Sequence, residues 1–381
     1  MFPVSEFESA TENAALKRAI IERIERRGPI PFRDFMQMAL YEPGLGYYCS
    51  PREKMGRAGD YLTSPVVTPI FGAMVGRQLR EMWALMERPA EFTVVEAGAG
   101  TGALARDILR WSERTAPEFA AALRYTIAEP NPEPGERQRR ALAAEGLDGR
   151  VAWSDGLPEG VEGCILSNEL LDSMPVHIVR VDGGRLREMY TGWDGAAFTE
   201  EAREPSTPEI AAYFERLGLM PGEGCRAEVN LAAPAWTARA ASALSRGFVL
   251  TIDYGYQAAE LYAPWRQDGT LMCFYRHNPG NDPYARIGRQ DMTSHVDFTT
   301  LCRTGEEAGL QTLGLVPQSE FLANLGIGDA LTPGEGPGLE EYYARRRAVL
   351  ELLDTAGLGR IRVLAQSRGV TGARLTGLGG A

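Results

Sequence analysis

From residue 91 onward the chain alternates short apolar runs with helix-patterned stretches, and no other feature constrains its fold as much. Residues 92–96 read as a strand and 104–111 as a helix, and 123–128, 134–145 and 151–153 repeat the pattern as strand, helix, strand. Residues 164–167 and 248–253 are further buried strands, and a helix over 298–308 precedes a sixth strand at 310–316. After a helix over 338–353, residues 360–366 read as one late strand. Strands alternating with helices imply a parallel sheet with helices on both faces.

Ahead of that alternation, residues 13–27 form a helix with Leu16, Ile20, Ile21 and Ile24 at helical spacing, stopped by Gly28-Pro29. Residues 32–40 and 70–86 continue the helical pattern. Between them runs a long loop containing Tyr41-Glu42-Pro43-Gly44-Leu45-Gly46-Tyr47-Tyr48 and Gly59-Asp60-Tyr61-Leu62-Thr63-Ser64-Pro65; ordered loops of this length are usually functional. Farther on, Asp182-Gly183-Gly184 lies between apolar runs 176–181 and 186–193, a hairpin signal. That hairpin and a helix over 234–244 read as an insertion between the fourth and fifth strands, not as a separate domain.

The formal charge of -11 argues against general nucleic-acid binding, which needs dense Lys and Arg, while leaving room for a basic protein partner. Cys49, Cys164, Cys225, Cys273 and Cys302 are widely scattered, so no disulfide framework is expected. With only three histidines, no metal site is expected either. Residues 1–11 are polar and acidic, unlike a secretory or organellar leader, and no apolar run is long enough to span a bilayer. A cytoplasmic location is the expectation.

The sharpest local signal is Val94-Val95-Glu96-Ala97-Gly98-Ala99-Gly100-Thr101-Gly102-Ala103, where a strand passes into a helix. Glycines there let the backbone turn tightly and approach a ligand, and the helix N-terminus offers unpaired N–H groups. Read as Gly98-x-Gly100-x-x-Ala103 the turn fits a dinucleotide fingerprint. Read as Glu96-x-Gly98-x-Gly100-x-Gly102 it fits the methyltransferase form, in which Glu96 steadies the loop and faces the amino end of S-adenosylmethionine. A tight turn without a ligand is the bland alternative. Glu129 closes the second strand, where a carboxylate can accept both ribose hydroxyls. It follows Gly98 by 31 residues, more than the roughly 20 of the dinucleotide fingerprint, which favours the methyltransferase. After the third strand, Asp155 and Leu157 are candidates to frame adenine, although Asp155-Gly156 alone is also an ordinary turn.

Ser167-Asn168-Glu169-Leu170-Leu171-Asp172 follows the fourth strand, and ligands of open parallel sheets bind at the strands' carboxyl ends. Asn168, Glu169 and Asp172 are therefore expected beside the cofactor, with a single helical turn placing Glu169 and Asp172 on one face. Paired carboxylates grip a guanidinium and polarise its nitrogen for in-line attack on a methyl group. The plainer reading has Asn168 and Asp172 merely capping a turn.

With these residues together, the chain resembles the MidA-like family of class I methyltransferases, which includes a mitochondrial enzyme that dimethylates an arginine of a respiratory complex I subunit. The resemblance runs in order through the Tyr41–Tyr48 and Gly59–Pro65 blocks, Glu96–Gly102, Ser167–Asp172, Ile252-Asp253-Tyr254-Gly255 and Gln290-Asp291-Met292-Thr293-Ser294-His295-Val296-Asp297-Phe298. It implies a Rossmann-like, seven-stranded class I methyltransferase α/β sheet with an N-terminal helical cap and insertions. On that pattern residues 1–88 are cap and cofactor lid, and 89–381 the core with insertions at about 176–245 and 254–296. The lid would bring Thr63 and Ser64 near the cofactor carboxylate, and Asp253-Tyr254-Gly255 and His295 would border the acceptor pocket. His295 has an equal reading as a packed or capping side chain, and Tyr47 and Tyr48 as core aromatics.

Met272-Cys273 stands where the family leads one to expect an arginine, and Phe274 where it leads one to expect a tyrosine, a change that bears on acceptor choice. The resemblance implies S-adenosylmethionine-dependent N-methylation of a protein arginine, with a respiratory complex subunit as one candidate substrate and homodimerisation left open. The alternatives are a small-molecule acceptor, an NAD-dependent oxidoreductase and a non-catalytic assembly factor.

Overall fold

The computed structural model describes residues 12–50, 54, 56, 59–60, 62–332 and 338–380, so the reading of residues 1–11 lies outside it. Its contacts divide the chain into two compact units, Leu62–Leu170 with Trp236–Tyr254 and Cys302–Ala381, and Met1–Tyr61 with Leu171–Ala235 and Gly255–Leu301.

The first unit is built on seven strands: β1 (Phe92–Ala97), β2 (Leu123–Ala128), β3 (Val151–Ser154), β4 (Val161–Asn168), β5 (Leu244–Asp253), β6 (Gln311–Pro317) and β7 (Arg362–Arg368). Their order across the sheet is β6-β7-β5-β4-β1-β2-β3. Strands β1 to β5 pair in parallel, and β7 runs antiparallel to both β5 and β6. From β1 the chain builds β2 and β3 on one side, then β4 and β5 on the other. The carboxyl ends of β1 and β4 therefore flank a topological switch point, where open α/β sheets take their ligands.

Two glycines explain why β4 and β5 begin earlier than the sequence pattern indicates. At Gly163 (φ 145°) a Cβ would lie 2.1 Å from Thr93 O, and at Gly247 (φ 130°) one would lie 2.0 Å from Gly163 O. Neighbouring strands approach too closely for any side chain. Glycines that read as strand ends are here interior residues of the sheet.

The helix Pro69–Leu85 buries Phe71, Met74, Val75, Leu79 and Met82 in the same core as Val94 and Leu166 of the sheet. Its Gly76 faces the Trp111 ring of helix Ala103–Thr115, where a Cβ would come within 2.5 Å of Trp111 Cε3. This helix therefore belongs with the sheet. The boundary expected at residue 88 differs from the division seen in the contacts.

In the second unit, helices Ala14–Arg27 and Phe32–Tyr41 bury Leu16, Ile20, Phe32, Phe35 and Met36 against Val176, Ile178, Met189 and Met292. The hairpin appears as His177–Asp182 and Arg185–Trp193, turning through Gly183 and Gly184 at φ 57° and 72°. It joins Ile30–Pro31, Phe198–Arg203 and Arg226–Val229 in a five-stranded antiparallel sheet. A smaller sheet pairs Met272–Tyr275 with Asn278–Gly280 and Asp291–Thr293. The N-terminal segment thus folds with Leu171–Ala235 and Gly255–Leu301, whereas the helix Ala232–Ala243, expected as part of the first insertion, buries Ala240, Ala241 and Ala243 against the sheet of the first unit. Among the described residues no helix is long and apolar enough to cross a membrane, and the five cysteines form no disulfide.

Candidate active site

The glycine turn leaves the end of β1 at the switch point. Gly98, Gly100 and Gly102 have φ of 70°, 54° and 79°, a left-handed run that residues with side chains seldom adopt. A Cβ on Gly98 would lie 2.7 Å from Leu170 Cδ1. Glu96 is buried behind the turn and accepts a 2.8 Å hydrogen bond from Tyr125 Oη on β2. Burial raises its carboxyl to about 7, against the lowering effect of the Tyr125 bond.

Glu129 follows β2. Its Oε1 accepts from Asn131 N–H (3.1 Å) and its Oε2 from Gln138 Nε2 (3.3 Å). Burial pushes the Glu129 carboxyl upward, and these two donors partly offset that. Gln138 also donates to Gly100 O (3.2 Å), and its Oε1 accepts from Trp153 Nε1 (3.3 Å). It thereby joins the glycine turn, the end of β2 and β3, a role the sequence reading missed. Its signal was a buried stripe on helix Pro132–Ala144, Gly135, Gln138 and Leu142, with a polar residue at the middle position. After β3, Asp155 is exposed, whereas Leu157 is buried among Val95, Ala97 and Ala128.

At the end of β4, Glu169 is a non-glycine residue with φ 49°. Its N–H donates to Ile252 O (2.8 Å) on β5, carrying the sheet pairing one residue past Asn168. The expected single helical turn from Glu169 to Asp172 is absent, because this left-handed kink redirects the chain at its first residue. Glu169 Oε1 accepts from Ser64 N–H (3.3 Å) and Asn168 Nδ2 (3.1 Å), so Ser64, Asn168 and Glu169 come together. Thr63, beside Ser64, is buried and accepts Val66 N–H at its carbonyl (2.9 Å). Asn168 Oδ1 is buried with no hydrogen-bond partner among the described residues, and so is the neighbouring Ser167 Oγ. A buried, unsatisfied acceptor is costly to leave unmade. Buried Asp253 braces the kink, its Oδ2 accepting Leu170 N–H at 3.1 Å.

Asp172 and His295 lie in the other unit. Asp172 O accepts from Ser294 N–H (2.8 Å), and His295 N–H donates to Thr270 Oγ1 (3.0 Å). The His295 ring meets Tyr256 edge-on at 5.1 Å. In the same unit Tyr47 Oη donates to Asp60 Oδ2 (2.9 Å) and Tyr48 Oη to Asp291 Oδ1 (2.7 Å). Both tyrosines serve buried acids, which matches their reading as core aromatics. Burial raises the Asp291 carboxyl to about 6.

Three positive-φ glycines next to an orphaned Asn168 Oδ1 form a cradle with an acceptor for an amino group, so the residues fit an amino-acid-bearing cofactor. With this strand order, they define a class I S-adenosylmethionine-dependent methyltransferase. The family profile described as "Putative S-adenosyl-L-methionine-dependent methyltransferase" matches residues 74–316, and the chain belongs to that family, the MidA-like methyltransferases.

A Burkholderia thailandensis structure solved with S-adenosyl-homocysteine bound is 34% identical, with a TM-score of 0.89 over 99% of this chain and 97% of that one. The mitochondrial protein arginine methyltransferase NDUFAF7 homolog of Drosophila melanogaster is 28% identical over 98% of this chain and 89% of its own length. The mitochondrial NDUFAF7 protein arginine methyltransferase of Mus musculus is 28% identical over 81% of this chain and 74% of its own. The expected cytoplasmic location is overturned by the Drosophila melanogaster and Mus musculus relatives, which are mitochondrial proteins.

Proposed function

We propose that the chain transfers the methyl group of S-adenosylmethionine to a guanidinium nitrogen of a protein arginine. The observation that carries this reading is the Glu169 carboxylate, held at the end of β4 by Ser64 and Asn168 beside the unsatisfied Asn168 Oδ1. The relatives named as protein arginine methyltransferases support the choice of acceptor.

The cofactor, when bound, would supply an electrophilic methyl group whose C–S bond breaks as the acceptor nitrogen attacks, leaving S-adenosylhomocysteine. Gly98, Gly100 and Gly102 cradle its amino-acid end with Glu96 behind them and Asn168 Oδ1 accepting its amino group. Ser64 and Thr63 would hold its carboxylate, Glu129 the ribose hydroxyls, and Asp155 and Leu157 the adenine. Glu169 holds the acceptor guanidinium by charge-assisted hydrogen bonds and takes up the proton released as the new N–C bond forms. Whether Asp172 and His295 take part is tested separately by Asp172→Asn and His295→Ala.

The test is methyl incorporation from labelled S-adenosylmethionine into a source-cell lysate, with the labelled residue identified by mass spectrometry. The expected product is methylarginine in a narrow set of proteins. Glu169→Gln should lower kcat at least about 100-fold while S-adenosylhomocysteine affinity changes little. Label on another residue type, or only on small molecules, refutes the arginine assignment.

A further inference from the structure

The hairpin of Met272–Tyr275 and Asn278–Gly280 closes through a two-residue turn in which Arg276 and His277 have φ of 49° and 61°. Turns of this hand normally take Asn-Gly, because a Cβ at positive φ is disfavoured. Here the turn is held from outside. Arg276 N–H donates to Asp60 Oδ1 (2.8 Å), and His277 N–H donates to Asp60 O (2.8 Å). Asp60 is itself buried and fixed by Tyr47 Oη. The Arg276 backbone is therefore pre-set before any ligand arrives.

Beside this turn lies a cavity of about 390 Å³ lined by Tyr275, Arg276, Pro279, Asp282 and Arg286, among others. The Arg276 and Arg286 guanidiniums both stand over the Tyr275 ring, 5.2 and 4.9 Å from its centroid. Among the described residues neither has an ion-pair partner, whereas Arg106 and Arg226 are matched to Asp107 and Glu200. Asp282 is the carboxylate in the lining, and its Oδ1 caps Tyr284 N–H at 2.9 Å. Within the lining two guanidiniums face one carboxylate, an excess of about one positive charge before the buried Asp60 carboxylate bonded to Arg276 N–H is counted, on a chain whose net charge is -11. That excess suits a single carboxylate better than a phosphate dianion, and Tyr275 and Pro279 offer apolar surface to the methylenes that carry it.

We propose that this cavity receives an aspartate or glutamate side chain of the protein substrate, its carboxylate held by Arg276 and Arg286. The proposal rests on the protein-arginine reading above and adds an acidic residue to what the substrate must carry. Arginine is suited to the task because its planar fork matches a carboxylate bidentately.

Binding is separable from catalysis, so the test begins with binding. The full-length protein, saturated with S-adenosylhomocysteine, is titrated with fluorescent peptides holding a central arginine and a single glutamate, alanine or phosphoserine at each flanking position. One glutamate register should bind about five-fold more tightly than its alanine counterpart. Arg276→Asn, whose asparagine tolerates the left-handed backbone, and Arg286→Gln should each remove that preference while leaving alanine-peptide binding and thermal midpoint unchanged. Equal affinity for glutamate and alanine in every register overturns the proposal. So does tighter binding of phosphoserine, or a glutamate preference that survives both substitutions. When S-adenosylmethionine then replaces S-adenosylhomocysteine, glutamate preference as expected but no methyl transfer to the arginine of any bound peptide retains the cavity's role and removes the arginine reading instead.

Discussion

Glu96 shows how one side chain can link fold, titration and ligand. Its carboxyl, ordinarily near 4.5, is raised to about 7 by burial, with only Tyr125 Oη opposing. Below pH 4.5 the group is protonated in the folded and unfolded chains alike. Between about 4.5 and 7 the unfolded chain has released the proton and the folded chain has not, so stability falls as pH rises and levels off above 7. Glu96→Gln keeps an acceptor for Tyr125 and removes the charge. It should therefore stabilise the ligand-free protein at pH 8, by an upper bound of about 3 kcal/mol, and leave it unchanged at pH 4. Urea unfolding at both pH values checks this, and equal stability of the two proteins at pH 8 refutes it. Glu96, Gly98 and Glu129 were legible because a strand-to-helix glycine turn fixes where acids can matter. Gln138 was not, because a glutamine in the buried stripe of its helix shows that something polar is enclosed but not which turn and strands it joins until the sheet that packs on it is known.

Elements were legible wherever their pattern is local. The Asp182-Gly183-Gly184 hairpin is an example, since two adjacent positive-φ residues already specify the turn. Strand starts at glycine were not. Gly163 and Gly247 look like punctuation in a linear reading, yet each sits inside the sheet with a neighbouring backbone at its missing Cβ. Gly163→Ala would drive a methyl group into Thr93 O, and at φ 145° no rotamer change relieves it. A cost of roughly 2–4 kcal/mol follows from the strained backbone and the broken β1–β4 pairing. Gly146→Ala is the contrast, since it shares a positive φ but has open space around it, and it should cost only about 1–2 kcal/mol. Chemical denaturation of the two variants measures the gap between them, and a Gly163→Ala protein as stable as Gly146→Ala would contradict the packing argument. The turn after β4 misled in a similar way. Spacing alone suggested a helical face for Glu169 and Asp172, but the sheet bond from Glu169 N–H to Ile252 O forces the left-handed kink.

For the whole molecule, the sheet's architecture was readable because its strands and helices carry their own local patterns, even where segments of the second unit interrupt the chain between β4 and β5 and between β5 and β6, whereas the pairings of the second unit join segments far apart in sequence. Pairings such as His177 with Val229 and Ile30 with Thr191 join residues far apart in the chain, and nothing in local periodicity announces them. Net charge is the molecular property that bears most directly on the acceptor. At -11 the chain attracts a basic protein segment over several ångströms, and salt screens that attraction with a Debye length of about 8–10 Å near physiological ionic strength. A neutral small-molecule acceptor would feel almost none of it. For an arginine-bearing peptide of net positive charge, KM should therefore rise several-fold between about 50 and 200 mM salt, with kcat nearly constant, because encounter weakens while the bound geometry does not. A glutamate in the peptide lowers its net charge and so flattens this salt dependence. If that glutamate also occupies the cavity at Arg276 and Arg286, it should lower KM at high salt, where only short-range contacts persist. Initial rates for the paired peptides across a salt series separate the two effects. A KM indifferent to salt for every basic peptide would argue for an uncharged acceptor and against a protein arginine.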